Sequence, residues 1–198
     1  MKAPEHMRDW ALELRAIALE AGFVSFGVVI PEKLTALPET ADPARHLAGY
    51  RSIVLVAAPG ERVTDLGPKS QALLDDRLSL GLARLRKDIA GEGYAALPLV
   101  DSRLSLPRLA VAAGMGVLAP NGMLVVNRYG LSLYLLGLIT EAQLPATPFP
   151  GLVADTTICR SCRLCLDDCI ATTEQTGFKR EWCSGCAECI SRCPLQAR

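Results

Sequence analysis

Apolar positions along the first two thirds of the chain switch between a helical step and unbroken strand-like runs. Met7, Trp10, Leu14, Ile17 and Ala21 recur on one helix face, and Gly22 follows as a residue suited to closing that helix. Phe23 to Ile30 is an apolar, β-rich run that stops at Pro31, which predicts a strand. Residues 31–50 contain three prolines and read as a loop with room for a short helix. Ile53 to Ala58 predicts a second, buried strand closed by Pro59-Gly60. Leu74, Leu78, Leu82, Leu85 and Ile89 share one face of a long helix from about Lys69 to Ala90, with Gly91 ending it. Tyr94 to Val100 reads as a strand in which Pro98 marks an edge or a bulge. Pro107 suits the first turn of a short helix through Ala113, broken by Gly114-Met115-Gly116.

Gly122 to Val126 and Leu131 to Ile139 read as two more strands around the turn Asn127-Arg128-Tyr129-Gly130. Leu131 to Leu136 shows no apolar–polar alternation, so it reads as a core strand covered on both faces, with a docking or dimer surface as the other reading. Helices and strands in this order predict an α+β (α/β) domain over residues 1–144. The stretch Pro145-Ala146-Thr147-Pro148-Phe149-Pro150-Gly151 predicts a stiff linker over 145–151, followed by a small second domain over 152–198.

Composition narrows the function classes. Half of the 198 residues are apolar, enough for a real core. Lys+Arg and Asp+Glu number 21 each, so the formal net charge is zero. There is no basic surplus for a phosphate backbone and no polybasic membrane anchor, so no nucleic acid and no membrane are expected as partners. Met1 to Arg15 is interrupted by Glu5, Arg8, Asp9 and Glu13 and does not read as a secretory signal. The longest apolar stretch, Leu109 to Val126, carries Gly114, Gly116, Pro120, Asn121 and Gly122, which argues against a membrane helix. A cytoplasmic protein is the expectation. No P-loop or G-x-S-x-G motif is present, and His6 and His46 read as surface residues.

The chemistry is concentrated at the C-terminal end. All eight cysteines lie at or after residue 159, in two groups with one spacing. The first is Cys159-x2-Cys162-x2-Cys165-x3-Cys169, and the second is Cys183-x2-Cys186-x2-Cys189-x3-Cys193-Pro194. Three thiolates at three-residue steps wrap three corners of a cubane, and the fourth ligates the other cluster. That rule assigns Cys159, Cys162, Cys165 and Cys193 to one 4Fe–4S cluster, and Cys183, Cys186, Cys189 and Cys169 to the other, in a bacterial-ferredoxin arrangement. Structural zinc prefers two well-separated C-x2-C knuckles, so the spacing favours iron–sulfur. Cys169 is followed by Ile170 where the usual motif has Pro, which alters the turn but removes no ligand atom. Charged residues between the ligands, among them Arg163, Arg192, Asp167 and Glu188, read as a solvated face that can shift a potential. From the residues alone, Gly114 and Gly116 serve either a turn or a close backbone approach to a ligand.

The order of these segments resembles the epoxyqueuosine reductase and reductive dehalogenase family. Ala18-Leu19-Glu20-Ala21-Gly22-Phe23 with Gly27-Val28, Ser52 to Ala57, Val100-Asp101-Ser102, Ala113-Gly114-Met115-Gly116, Asn121 to Val125 and Tyr129-Gly130 stand in the family's order. The resemblance implies a nitroreductase-like mixed sheet with helices, joined to a two-cluster ferredoxin domain. It implies a corrinoid (cobalamin) in the first domain, with FMN as the second candidate, and places Gly114, Gly116, Asn121 and Tyr129 at that cofactor. Asp101, at the family's V-D-[ST] step, would be the proton donor; read by itself it is equally a turn or helix-opening Asp.

Two departures stand out. Leu118-Ala119-Pro120-Asn121 replaces the family's I-G-K-N, and Leu131 to Leu136 replaces an Arg-rich stretch. The chain ends at Arg198, where epoxyqueuosine reductases continue into a helical-repeat region that helps hold tRNA, so a small substrate is expected in place of tRNA. The expected function is an iron–sulfur oxidoreductase passing electrons from its clusters to the corrinoid or flavin. The alternatives are an electron-transfer or corrinoid-handling partner protein, and a cluster-bearing module with an empty first domain. An electron donor such as a ferredoxin, flavodoxin or reductase is the expected partner, together with a homodimer.

Overall fold

Every residue from Ser52 to Ala58 is buried, because the strand they form is covered on both faces. In the computed structural model the described residues are 5–34, 42–60, 68–99, 104–126, 129–147, 159, 161–167, 169–173, 177–178, 182–184 and 186–195. The main elements are α1 (Glu5–Glu20), β1 (Ser25–Val29), β2 (Ser52–Pro59), α2 (Pro68–Gly91), β3 (Ala96–Pro98), α3 (Leu106–Ala112), β4 (Val117–Leu118), β5 (Leu124–Val125) and β6 (Leu133–Thr140). The cysteine segment adds β7 (Thr172–Thr173), β8 (Gly177–Phe178) and α4 (Glu188–Ser191).

The main sheet has the order β1-β2-β6-β3, and all three pairings are antiparallel. The expected mixed sheet is therefore corrected for the described strands: no parallel pair occurs among them, and α+β describes this layer. Pro98 lies on an edge strand, where its missing N–H breaks no ladder. Alternate residues of β2 face opposite layers. Val54, Val56 and Ala58 pack with Met7, Leu14, Leu85 and Ile89 of α1 and α2. Ile53, Leu55 and Ala57 pack with Leu109, Ala110 and Met115 at α3. Strand β6 is shared in the same way, with Tyr134 and Leu136 on the first side and Leu133 and Leu135 on the second. Leu133 to Leu136 are only half-buried, however, and β6 is fully buried only from Gly137 onward, so the expected core strand is corrected for its first half. Each fully buried Ile or Leu in this sheet contributes roughly 1.5–3 kcal/mol of transfer free energy.

Helix ends follow one device. Gly22, Gly93 and Gly114 all have positive φ (95°, 84° and 74°). After each, paired backbone bonds close the last turn, as in Phe23 N to Ala18 O (3.1 Å) and Met115 N to Ala110 O (2.9 Å). Gly93, two residues past the expected Gly91, is the closing residue of α2.

Within the expected linker, Thr147 is fastened to β1. Its N–H donates to Val28 O (3.2 Å), and its Oγ1 accepts from Val28 N (3.0 Å). The linker's opening residues therefore cap an edge strand. No helix among the described residues is long and apolar enough to cross a membrane.

Candidate metal centre

Beyond the main sheet, β4 and β5 form a short hairpin, with Val117 opposite Val125 and Leu118 opposite Leu124. Pro120, Asn121 and Gly122 make its loop. Gly122 N donates to Ala119 O and Ala119 N to Met123 O, both at 2.9 Å, and Gly122 has φ +76°. Pro in the first central position, Asn in the second and Gly at positive φ suit a three-residue hairpin loop. Gly122 is thus a turn residue, where a strand was expected, and the hairpin partner Val117–Leu118 was not foreseen. Gly116 lies against this hairpin, and a Cβ there would run into the carbonyl oxygen of Val125.

The cysteine segment docks on that hairpin. Ala119, Val125 and Leu131 share an apolar cluster with Cys165 and Leu166, flanked by Met123, Cys159, Cys189, Cys193 and Leu195. A small, partly open apolar cleft lies there. Cys159, Cys162, Cys165 and Cys193 line it, with Ala119, Pro120, Val125, Leu131, Leu164, Pro194 and Leu195 as its apolar wall. Those four thiols are the set that the spacing assigns to one cubane, including the distant Cys193.

Electrostatic effects among the thiols run both within and between the two groups. Burial pushes the Cys159 thiol up, and Cys193 and Cys162 push it further. Burial also raises Cys189, as do Cys183, Cys169 and Cys186, while the Asn121 side chain opposes the rise. Cys165 is raised by burial, pulled back by the Asn121 and Cys165 backbone N–H groups, and raised by Cys189 and Cys162. The first group therefore feels Cys193 and the second feels Cys169, while Cys165 and Cys189 face one another across the groups. Arg192 ties the two halves through Nη1 to Asp167 O (3.3 Å).

Among the described residues, no three His, Cys, Asp or Glu side chains converge closely enough to hold a single metal ion. The donor set nevertheless fits iron–sulfur chemistry: all-thiol, partly buried, apolar-walled, and with a buried amide donor beside it. Asn121 is 2% exposed, and its Nδ2 has no hydrogen-bond partner.

Of the four residues that the resemblance placed at a corrinoid, the structure turns Asn121 toward the cysteines. Gly114 closes α3, Gly116 backs onto Val125, and Tyr129 packs with the apolar cluster on the α3 side of the sheet. Asp101 lies outside the described residues. Met123, Leu131 and Leu195 went unnoticed as neighbours of the thiols. No sequence signal marks them, although Pro-Asn-Gly at 120–122 signals the turn that positions them.

An antiparallel sheet covered by helices on both faces, with a paired-cysteine segment seated on an outlying hairpin, defines the fold class. Solved structures carry that fold under the names expected from the sequence. Epoxyqueuosine reductase from Streptococcus thermophilus superposes with a TM-score of 0.69 at 20% identity, over 93% of this chain and 65% of that one. The Bacillus subtilis enzyme, solved with its aspartate-bearing catalytic loop swung out of the active site, gives 0.66 at 20% identity over 94% and 65%. A reductive dehalogenase whose structure suggests a mechanism for B12-dependent dehalogenation gives 0.54 at 20% identity over 81% and 24%. The chain thus resembles both groups in fold, divergently, and spans about 65% of the length of the epoxyqueuosine reductases it matches. No family model matches the chain, and no curated protein matches it.

Proposed function

We propose that the chain is an iron–sulfur oxidoreductase. Its eight cysteines would hold two 4Fe–4S clusters, and its first domain would pass the electrons, through a corrinoid, to a small substrate. The observation that carries this reading is the cavity lined by Cys159, Cys162, Cys165 and Cys193. Cys183, Cys186, Cys189 and Cys169 would hold the second cluster. When bound, the clusters supply one-electron transfer. The chain's own part is to keep water from one cluster with Val125, Leu131 and Leu195, and to release thiol protons as the metal enters. Thiol ligands suit a reducing, cytoplasmic setting with a ferredoxin, flavodoxin or reductase as donor.

Asp101 is proposed as the proton donor to substrate. Its support is the Val-Asp-Ser step and the aspartate-bearing catalytic loop of the Bacillus subtilis relative. One epoxyqueuosine reductase is solved with a tRNA stem loop. For this chain a small substrate is preferred because its formal net charge is zero.

A second reading has its own observation. Ala119 and Pro120, standing where the family has Gly and Lys, line the cysteine cavity. That placement favours an electron-transfer or corrinoid-handling protein without substrate turnover.

Anaerobic purification with iron and cobalt analysis, followed by titration with cobalamin, tests both readings. About eight irons per chain and a visible spectrum that changes stoichiometrically with cobalamin are expected. Zinc in place of iron would overturn the cluster reading. Iron without binding of cobalamin or FMN would leave electron transfer as the function. Retention of full turnover by Asp101→Asn would remove Asp101 from the chemistry.

A further inference from the structure

Asn121 belongs to the hairpin loop of the first domain, yet its side chain is directed at the cysteine segment. Its Oδ1 accepts from Met123 N at 3.1 Å, which settles which end of the amide is which. Nδ2 is thereby turned away from the loop, and it is buried without a partner. Leaving such a donor unpaired costs about 1–3 kcal/mol, so a partner is expected at this spot. Water is a poor candidate, because it needs two to four polar groups and the surroundings are apolar. The sulfur atoms are the available acceptors. Met123 Sδ lies 4.0 Å from Cys189 Sγ, which holds that cysteine beside the loop. A thiol accepts weakly, whereas a metal-bound thiolate carries the charge that makes such bonds strong.

We propose that Asn121 donates from Nδ2 to the Cys189 thiolate, so that a turn of the first domain raises the potential of the cluster this cysteine holds. This inference rests on the cluster reading above. Each cluster takes one electron on reduction and becomes more negative by one charge. N–H donors aimed at its sulfurs favour that reduced state and raise the potential. The residue is a tuning donor and touches no substrate.

The test compares wild-type protein with Asn121→Asp, purified anaerobically and titrated with dithionite under electron paramagnetic resonance. Asp keeps the acceptor for Met123 N and the size of the side chain, but replaces the amide donor with an oxygen. Both proteins should hold about eight irons. One cluster of the variant should show a fall of at least about tenfold in its reduced-to-oxidised ratio at fixed potential, which is about 59 mV for one electron. The other should move less, because Cys189 belongs to only one of the two clusters. Equal potentials at full iron content would overturn the proposal.

If the variant sheds its iron, wild-type protein carrying 15N-asparagine decides. The chain has two asparagines, Asn121 and Asn127. An exchangeable-proton and 15N coupling to a reduced cluster, seen by electron–nuclear double resonance, supports the bond, and its absence from a loaded sample overturns it. Wild-type protein without iron would instead bring down the cluster reading itself, and this inference with it.

Discussion

Strand β2 buries seven consecutive residues between two layers of helices, whereas only Cys165 of the eight cysteines is buried and Cys183 and Cys186 are exposed. The first region carries its own core in Ile53, Val54, Leu55 and Val56, which meet side chains from both layers. Among its described residues the second has two-residue strands and a four-residue helix, and Leu166, Ile190 and Leu195 lean on the β4–β5 hairpin. A segment of that size cannot bury enough apolar surface to offset the ordering of its backbone. On the proposed cluster reading, what the thiols would hold supplies that missing interior. One region is then stabilised by hydrophobic burial, and the other would depend on metal for its fold.

The largest expected effect breaks the two apart. Iron removal by a chelator under oxidising conditions should unfold the cysteine segment and leave the sheet intact. Limited proteolysis should then cut beyond residue 158, while amide exchange on β1, β2 and β6 stays slow. Simultaneous loss of protection in β2 would show that the sheet depends on the metal too.

Single cysteines come next, and they sharpen the picture within the second region. Cys193→Ser should lower iron from about eight to about four and abolish the same resonance signal as Cys159→Ser, because one cubane takes both. Cys169→Ser should remove the other signal. A match between Cys193→Ser and Cys189→Ser would mean that the fourth ligands are not exchanged.

The first region should respond in the opposite currency. Ile53→Ala should cost about 2–5 kcal/mol in urea unfolding, through lost transfer energy and an unfilled cavity, with iron content unchanged in the native state. Gly116→Ala is expected to cost about 1–3 kcal/mol, since its Cβ would press on the Val125 carbonyl and shift the hairpin on which the cysteines sit. It should also disturb the cluster signals, which Ile53→Ala should not. Equal signals in Gly116→Ala and wild type would show that the hairpin and the clusters are mechanically independent.

This contrast also explains what could be read from the residues. The two-faced strand at Ile53 to Ala58, the helix face of Met7 and Leu14, and the edge position of Pro98 follow from periodicity and from the chemistry of proline. Where an element ends is less legible, because Gly91 and Gly93 are both plausible closures and tertiary packing decides between them. Sheet direction was missed because apolar runs look alike in parallel and antiparallel pairs once both faces are covered. The aim of Asn121 was hidden for another reason. Its loop type is written in Pro120-Asn121-Gly122, but what the loop faces depends on a segment more than thirty residues away.

The smallest effect concerns one residue inside the second region. Ala187, between Cys186 and Cys189, has φ 62° and is the one non-glycine residue with positive φ among those described. An L-residue in that conformation carries a cost of roughly 1–2 kcal/mol, which glycine avoids. Glycine also frees the unfolded chain, which cancels about 0.4–1 kcal/mol of that gain. The net stabilisation from Ala187→Gly should therefore be at most about 1.6 kcal/mol, and confined to the cysteine segment. Iron loss to a chelator should slow, while the urea midpoint of the sheet stays put. Faster iron loss from Ala187→Gly would show that the alanine methyl makes a packing contact worth more than the backbone strain it imposes.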